Sequence, residues 1–533
     1  MILLTELKVP VNYSKSDIFK AIEKKYHLFS NEILNLDILK ESIDARQKPN
    51  VIIKLNVAVD VTCGALKKLK NVDEVKVDHL GIKCEKFNFN GERPMVVGFG
   101  PSGMFAALRL ALAGFKPIVV EQGKCVDERQ KDIDLFWTTG KLNKFSNVQF
   151  GEGGAGTYSD GKLASNVSNE HTKKCINEFV LAGAPSEIFY SGTPHIGSDK
   201  LKTIVKNIRK KIIANGGDVW FNTKFVDYEL KNGKISSVKL NDTQTGEIKI
   251  IPVSALILAV GHSAEDTYNL LLTKHVLMKQ KPFAMGVRIE QSQEDINLSQ
   301  FGTNDSNFPA ANYKLVQHLE NGRSVFTFCM CPGGEVVASS SDDGTIVTNG
   351  MSNYARDGKN ANSALLVNVD PKDYDEGNVL DGVRFQRKYE KLAFELGGRN
   401  YSAPAERVED FLKGIQNPTK LSTKIEPTYL PKIKIADISK CLPNFVCESL
   451  KLSLPLFEKK IKNFANPENL LIGIESRSSA PVQIVRDENG MISDVGIFAV
   501  GEGAGYAGGI TSSAADGLKI AEKVEKYLIR NNN

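Results

Sequence analysis

The pattern of apolar positions changes from strand-like to helix-like and back between residues 95 and 121. Residues 95–97 form a short apolar run, which is typical of a strand buried on both faces. Residues 104–113 are apolar and helix-forming, and residues 116–121 form a second strand-like run that ends on Glu121. The pattern predicts a β-α-β unit in which Gly114 ends the helix in a left-handed conformation.

A glycine turn joins the first strand to the helix. Gly98, Gly100 and Gly103 have the spacing G-x-G-x-x-G. Pro101 and Ser102, between them, suit the first turn of a helix. Such a turn lets a pyrophosphate approach the free N–H groups of the helix start. Glu121, with Gln122 beside it, stands at the spacing from which an acid binds a ribose. We predict a dinucleotide site, because an unrelated glycine-rich turn leaves Glu121 unexplained.

Residues 1–92 precede this unit and carry a separate alternation of patterns. Strands are predicted over residues 2–11, 32–43, 51–61 and 75–77, and helices over residues 14–25, with Ser14 as N-cap, and 66–69. The order β-α-β-β-α-β is ferredoxin-like, a topology that RNA-binding domains share. Their aromatic strand motif is not in the sequence, so we interpret the segment as a docking or lid module for a protein partner.

A second glycine-rich segment, residues 147–163, reads NVQFGEGGAGTYSDGKL. Such a density of glycine indicates backbone that approaches a ligand or adopts positive φ. We interpret Gly154 and Lys162 as cofactor contacts, with a plain surface loop as the alternative. Arg129, on a charged helix predicted over residues 127–135, is either a contact to the cofactor phosphates or an ordinary surface arginine.

The chain continues with a helix, a three-stranded meander and a long apolar strand over residues 248–260. In this arrangement Val226 contacts an adenine through its backbone, and Gly261 follows the return strand. Residues 495–500 form another strand before a second glycine turn and helix. That turn stands where flavoproteins bind the ribityl chain and the flavin, with Gly501, Glu502, Gly508, Gly509 and Ile510 as the contacts. The residues between the two half-sites are therefore predicted to be an insertion.

At these motifs the chain resembles the FAD-dependent dehydrogenase-like proteins, or NAD(FAD)-utilising dehydrogenases, of the glutathione-reductase-type flavoprotein superfamily. The resemblance covers nearly the whole chain and rests on GFGPSGMFAALRLALAG, QFGEGGAGTYSDGKL, PHIGSDKL, AVGHSAEDT, KPFAMGVRIE, CMCPGGEVV, NGMSNYARDGKNANSALLV and GEGAGYAGGI. Glu265 stands where the family pattern has an arginine, and Gln291 stands where it has a histidine. Any function of that arginine or histidine in the family is therefore not expected in this chain. The resemblance implies bound FAD and specifies no substrate.

The predicted fold class is α/β with three parts. A Rossmann-like FAD-binding domain takes residues 93–278 and 471–533, and an inserted α+β substrate domain takes residues 279–470. The small N-terminal ferredoxin-like α+β domain completes the chain. Within the insertion, residues 403–412 have a helical pattern.

Three residues are candidates for proton transfer: His195, His262 and Tyr158. A histidine can act as general acid or base near neutral pH, while the alternative for each residue is a structural role. Cys329 and Cys331 lie two apart on a predicted strand, so both thiols are expected on one face. Their C-x-C spacing fits no usual redox pair or metal site, and we favour small packed residues over dithiol chemistry.

The composition limits which partners and which cellular compartment are expected. A net charge of +5 over 533 residues, without a long basic run, argues against a nucleic-acid partner. No apolar run approaches a membrane span, so no membrane partner is expected. Eight scattered cysteines fit free thiols and a cytoplasmic protein.

The sequence favours an FAD-dependent oxidoreductase that acts on a small organic substrate by hydride transfer at the flavin. NADH or NADPH is the expected transient electron donor, since the sequence shows no second dinucleotide fingerprint. Two alternatives stay open: a flavoprotein that acts on a macromolecule such as tRNA, and a flavoprotein whose FAD is mainly structural.

Overall fold

The computed structural model describes residues 1–69, 72–164 and 169–532. Two sheets organise most of these residues, one with five strands and one with seven. Among the described residues no helix is long and apolar enough to cross a membrane. The fold is mixed α/β, as predicted.

The N-terminal part forms a small sheet of its own. Its elements are β1 (Ile2–Val9), α1 (Lys15–Tyr26), β2 (Ile33–Asp44), β3 (Ile52–Val61) and α2 (Cys63–Leu66). The strand order is β1-β3-β2, with antiparallel pairs. Ser14 caps α1 as predicted, because its side chain accepts the N–H of Asp17. The predicted strand over residues 75–77 is wrong, since Glu74 alone forms a bridge, to Ile2.

The next part contains the predicted β-α-β unit and the meander. Its elements are β4 (Met95–Val97), α3 (Pro101–Leu112), β5 (Ile118–Val120), α4 (Val126–Thr139), α5 (Glu170–Leu181), α6 (Ser198–Ala214), β6 (Asp218–Trp220), β7 (Thr223–Lys231), β8 (Lys234–Asp242), β9 (Ile248–Pro252), β10 (Leu256–Leu258) and α7 (Glu265–Thr273). Helix α3 is buried along most of its length because it lies between the five-stranded sheet and the last helix of the chain. Gly114 has φ +90° just beyond it, as predicted.

The predicted insertion is built around the seven-stranded sheet. Its elements are β11 (Met278–Gln280), β12 (Phe283–Ser292), α8 (Gln293–Phe301), β13 (Val316–His318), β14 (Ser324–Cys331), β15 (Glu335–Ala338), β16 (Thr348–Met351), β17 (Asn360–Val369), α9 (Asp381–Gly397), β18 (Ala403–Arg407), α10 (Val408–Lys413), β19 (Ile433–Ile435), α11 (Asn444–Lys460) and β20 (Leu470–Glu475). The sheet order is β13-β14-β17-β12-β20-β18-β19. The helix predicted over residues 403–412 is wrong in its first half, which is β18. Because β20 belongs to this sheet, the insertion continues past the predicted boundary at residue 470.

The end of the chain returns to the parallel sheet with β21 (Val482–Ile484), β22 (Ile497–Ala499) and α12 (Ile510–Asn532). The five-stranded order is β22-β10-β4-β5-β6, and every pair is parallel. β10 and β22 are therefore neighbours in space although the whole seven-stranded sheet separates them in sequence. Because these strands are parallel, the turns that follow β4, β10 and β22 lie at the same edge of the sheet.

Candidate functional site

A cavity of about 480 Å³ lies where the edge of the parallel sheet meets the seven-stranded sheet. On the parallel-sheet side, its wall contains predicted cofactor contacts: Gly98, Gly100, Pro101, Ser102, Glu121, Gly154, Lys162, Gly261, Glu502, Gly508, Gly509 and Ile510. The opposite wall comes from β14, β16, β20 and the residues after β20, with Thr327, Cys329, Met330, Asn349, Glu475 and Arg477. Most residues predicted from the glycine motifs therefore share one space.

The first glycine turn is closely packed against β10 and against its own helix. Gly98 has φ +95°, and a Cβ there would lie 2.3 Å from the carbonyl oxygen of Ala259. A Cβ on Gly103 would lie 2.0 Å from the carbonyl oxygen of Gly98. Gly103 thus stays out of the cavity wall and lets α3 approach β4, which is the packing role expected of the third glycine.

Glu121 connects the two glycine segments. Its Oε2 accepts the N–H of Phe99 at 2.9 Å, and its Oε1 accepts those of Gly123 and Gly151 at 3.0 Å each. The side chain is nearly buried and still lines the cavity. Bonds to a charged acceptor are stronger than neutral ones, so Glu121 orders the site in addition to its predicted ribose contact.

Arg129 lies beneath the glycine-rich segment. Its guanidinium donates to the carbonyl oxygens of Asn147, Val148, Glu152 and Gly154 at 2.7–3.0 Å. The side chain is fully buried, and burial lowers its pKa. Arg129 is therefore neither the predicted contact to the cofactor phosphates nor a surface arginine: it holds the loop in place.

Several predicted residues do not line the cavity: Gly103, Gln122, Arg129, Tyr158, His195, Val226 and Gly501. Tyr158 is buried, with the guanidinium carbon of Arg129 4.8 Å from its ring centre, and burial raises its pKa to about 12. His195 stacks on Tyr354, and its Nε2 lies 3.1 Å from the carbonyl oxygen of Tyr354. Neither residue lines the cavity, and these contacts favour the structural alternative for Tyr158 and His195 over the predicted catalytic role.

His262 is the one predicted proton-transfer residue in the cavity wall. Its Nδ1 lies 3.4 Å from Oε1 of Glu502, which lines the same cavity. Its Nε2 is buried and has no hydrogen-bond partner among the described residues. Nearby, α12 begins at Ile510 and turns its N-terminus towards the cavity.

A buried carboxylate positions two cations in the cavity wall. Arg356 bonds both oxygens of Asp160, at 2.9 and 2.6 Å, and Lys162 bonds the same carboxylate at 2.7 Å. Lys162 also donates to the carbonyl oxygen of Met330 on β14. Burial raises the pKa of Asp160, but the two cations lower it further, so the net shift is downward. Arg356 was not predicted as a site residue, although it lies inside the motif NGMSNYARDGKNANSALLV.

Glu475 was also missed, and it lines the cavity at the end of β20. Its partner is the buried Arg288 of β12, at 2.9 Å. Arg288 lies inside the motif KPFAMGVRIE, but nothing local marks Glu475, and the two residues meet only through the pairing of β12 with β20.

Cys329 and Cys331 do not share a face, so that prediction is wrong. The pairing of β14 with β17 shifts register between Phe328 and Cys331, and Cys329 has φ +42°. Cys329 lines the cavity, while Cys331 is buried with its Sγ 3.9 Å from Nη2 of Arg288. Burial raises the pKa of Cys329 to about 11, so its thiol is protonated at neutral pH.

The two departures from the family pattern have partners of their own. Glu265 pairs with Arg387 at 2.8 Å. Gln291 is buried, accepts the hydroxyl of Tyr313 at 2.5 Å and donates to the carbonyl oxygen of Phe464 at 2.9 Å. Both residues are thus accommodated by local packing.

Two family models match parts of the chain. One, described as FAD-dependent protein, C-terminal domain-like, matches residues 282–478, which contain the seven-stranded sheet. The other, a domain of unknown function (DUF8436), matches residues 1–60. An uncharacterized protein of Clostridium beijerinckii is 44% identical over 541 residues, covering 97% of this chain and 98% of that protein.

Among solved structures, glycerol-3-phosphate dehydrogenase from Bacillus halodurans, complexed with FAD, aligns with a TM-score of 0.36 at 12% identity. The alignment covers 83% of this chain and 65% of that enzyme, slightly less than two thirds of its length. A flavoprotein/dehydrogenase from Cytophaga hutchinsonii aligns with a TM-score of 0.36 at 11% identity, over 82% of this chain and 79% of that one. Both superpositions are loose. On the full-length match, the chain belongs to the family of the C. beijerinckii protein, and its residues 282–478 match the model described as FAD-dependent protein, C-terminal domain-like.

Proposed function

We propose that this protein is an oxidoreductase that binds FAD in the cavity and acts on a small organic substrate by hydride transfer. The observation that carries the proposal is the composition of the cavity wall. Two glycine turns from the edge of the parallel sheet, two strands of the seven-stranded sheet (β14 and β20) and the neighbouring strand β16 border one space. A cofactor bound by the turns and a substrate bound against the strands would therefore be in contact.

The residues of the wall suit FAD. Gly154 packs so closely on the first turn that a Cβ would lie 2.9 Å from the Cα of Gly100, which leaves bare backbone for a ligand. The N-termini of α3 and α12 both face the cavity, and helix N-termini favour negative charge. Glu121 would hold the adenosine ribose and Glu502 the ribityl chain.

When bound, FAD supplies the hydride chemistry, while the chain binds, orients and moves protons. Lys162, fixed by Asp160, offers a polar contact to a substrate in the cavity, and His262 lines the same cavity. We further propose NADH or NADPH as a transient electron donor that enters the same cavity.

The first experiment is to purify the protein and ask whether it is yellow and releases FAD on denaturation. Anaerobic spectra are then recorded after adding NADH, NADPH and a panel of alcohols, amines and hydroxy acids. We expect a donor or substrate to bleach the flavin band. A colourless protein that takes up no added FAD would contradict the proposal. A flavin that nothing reduces would favour structural FAD, and copurified RNA would favour a macromolecular substrate.

A matched glycine pair tests where FAD binds. Gly98→Ala places a Cβ at positive φ against the carbonyl oxygen of Ala259, so we expect this variant to lose FAD. Gly246→Ala is the control, because Gly246 also has positive φ but a Cβ there meets nothing within 4 Å. Equal FAD retention in both variants would place the cofactor elsewhere.

A further inference from the structure

We propose that Glu475 is a catalytic acid–base residue of this site, which exchanges a proton with the substrate, and that Arg288 is its positioning residue. The inference rests on the proposed function, because the proton accompanies hydride transfer to or from FAD. The proposed role belongs to the cavity wall formed by β14, β16 and β20, which contains none of the glycine motifs.

Glu475 presents one carboxylate oxygen to its partner and one to the cavity. Its Oε2 accepts the Nη1 of Arg288 at 2.9 Å. Its Oε1 accepts no hydrogen bond from the described residues, and the side chain, only 6% exposed, lines the cavity. One oxygen is therefore held in place and the other is available to a bound molecule.

Arg288 has little freedom to move away from Glu475. Its Nε donates to Oδ1 of Asn362 at 3.0 Å, and its Nη2 donates to the carbonyl oxygen of Cys329 at 2.7 Å. A Cβ on Gly350 of β16 would lie 2.4 Å from the same Nη2. The guanidinium is thus confined by three neighbouring strands, and side chains confined in this way give a site defined geometry.

The surroundings of Glu475 tune its proton affinity. The groups that face it are Arg288 on β12 and the thiol of Cys329 on β14, with Lys162 beyond Cys329. Burial raises the pKa of Glu475 to about 7, and the charge of Arg288 acts in the opposite direction. A carboxyl that is half-protonated near neutral pH can both accept and donate a proton.

The step balances for a substrate that loses a hydride and a proton together. In an alcohol or amine, the C–H bond breaks and its hydrogen leaves with two electrons as hydride to FAD. The O–H or N–H bond breaks and its proton goes to Oε1 of Glu475. The substrate becomes a carbonyl compound or an imine. In the reverse direction, the carboxylic acid returns the proton while hydride comes from reduced FAD.

The flavin itself serves as the first reporter. The visible spectrum of the oxidised holoprotein is titrated across pH 7 without substrate, for wild type, Glu475→Gln, Glu475→Asp and Glu406→Gln. Glu406 is the matched control because it is buried on the neighbouring β18, burial raises its pKa to about 8, and it does not line the cavity. We expect a transition near pH 7 in wild type and Glu406→Gln, and none in Glu475→Gln. No transition in wild type, or the same transition in Glu475→Gln, would overturn the proposal.

Rates provide the second measurement. With a substrate that reduces the wild-type flavin, Glu475→Gln should lower kcat by at least about 100-fold while KM changes little. Equal rates would remove Glu475 from the mechanism and leave the oxidoreductase function standing. Failure of wild type to bind FAD would instead contradict the proposed function, and infrared titration of the carboxyl group would still test Glu475.

Gly350→Ala tests the positioning role without removing a charge. The added methyl group displaces the guanidinium of Arg288, so we expect the spectral transition to move to higher pH. It also keeps the proposal testable should Glu475→Gln fail to fold. An unmoved transition in a folded Gly350→Ala variant would show that Arg288 does not position Glu475.

Discussion

Two fully buried arginines support opposite walls of the cavity, and their charges are balanced differently. Arg129 donates to four carbonyl oxygens of the glycine-rich segment, and burial lowers its pKa. Burial also disfavours the charge of Arg288, but Glu475 first, together with Cys331 and Cys329, outweighs this effect and raises the pKa of Arg288. The first arginine therefore fixes a backbone, whereas the second places a titratable group in the wall. Burial alone does not reveal which role an arginine has; its partner does.

The largest expected effect is that of Arg129→Lys. Lysine cannot reach all four carbonyl oxygens, and a buried acceptor left unsatisfied costs about 1–3 kcal/mol. We expect the free energy of unfolding in urea to fall by at least about 3 kcal/mol, with loss of FAD. Lys131→Met is the control, because Lys131 is exposed on the same helix. An Arg129→Lys variant as stable as wild type would mean that the loop holds without this arginine.

The two walls also differ in how far they could be predicted from sequence. The glycine turns leave a local trace, since positive φ at Gly98 and the close approach at Gly103 exclude other side chains. The pair of Glu475 with Arg288 leaves none, although Arg288 lies in the motif KPFAMGVRIE, because 187 residues separate the two and strand pairing alone brings them together. The strand β18 was mistaken for a helix because its sequence, APAER, has weak strand propensity, which burial between β20 and β19 overrides.

The second effect is on the pH dependence of stability. Folding raises the pKa of Glu475 to about 7 from its ordinary value of 4.5, so the folded chain binds this proton more tightly. Its contribution to stability is full below about pH 4.5 and is lost as pH rises through about 7, by up to about 3 kcal/mol. Glu475→Gln, which mimics the protonated acid, should lack this loss.

The free energy of unfolding in urea is measured for wild type and Glu475→Gln at pH values below and above this range. Glu335→Gln is the control, because Glu335 is exposed on β15. If wild type and Glu475→Gln lose stability in parallel, then Glu475 is already ionised in the folded protein at low pH. The contrast between the two arginines would then disappear.

Glu121→Ala has a smaller expected effect, on the wall that Arg129 supports. The substitution removes the acceptor of three N–H groups and the proposed ribose contact. We expect FAD binding to weaken by about 1–3 kcal/mol, measured as the rise in the dissociation constant of FAD by fluorescence. Glu121→Gln should lose less, because the amide oxygen still accepts. Unchanged retention of FAD in Glu121→Ala would mean that another residue holds the ribose.

The smallest effect is expected from Cys329→Ser combined with Cys331→Ser, on the wall that Arg288 supports. The shift in strand register separates the two thiols, and burial keeps Cys329 protonated at neutral pH. Because the neutral thiol of Cys329 adds no charge beside Glu475, serines should leave FAD bound, its spectral transition near pH 7 and its reduction unchanged. Anaerobic dithionite titration checks this: both proteins should take up only the electrons that FAD accepts. A wild type that takes up twice as many, with the excess lost in the double variant, would make the pair a redox centre and give this wall a second chemistry.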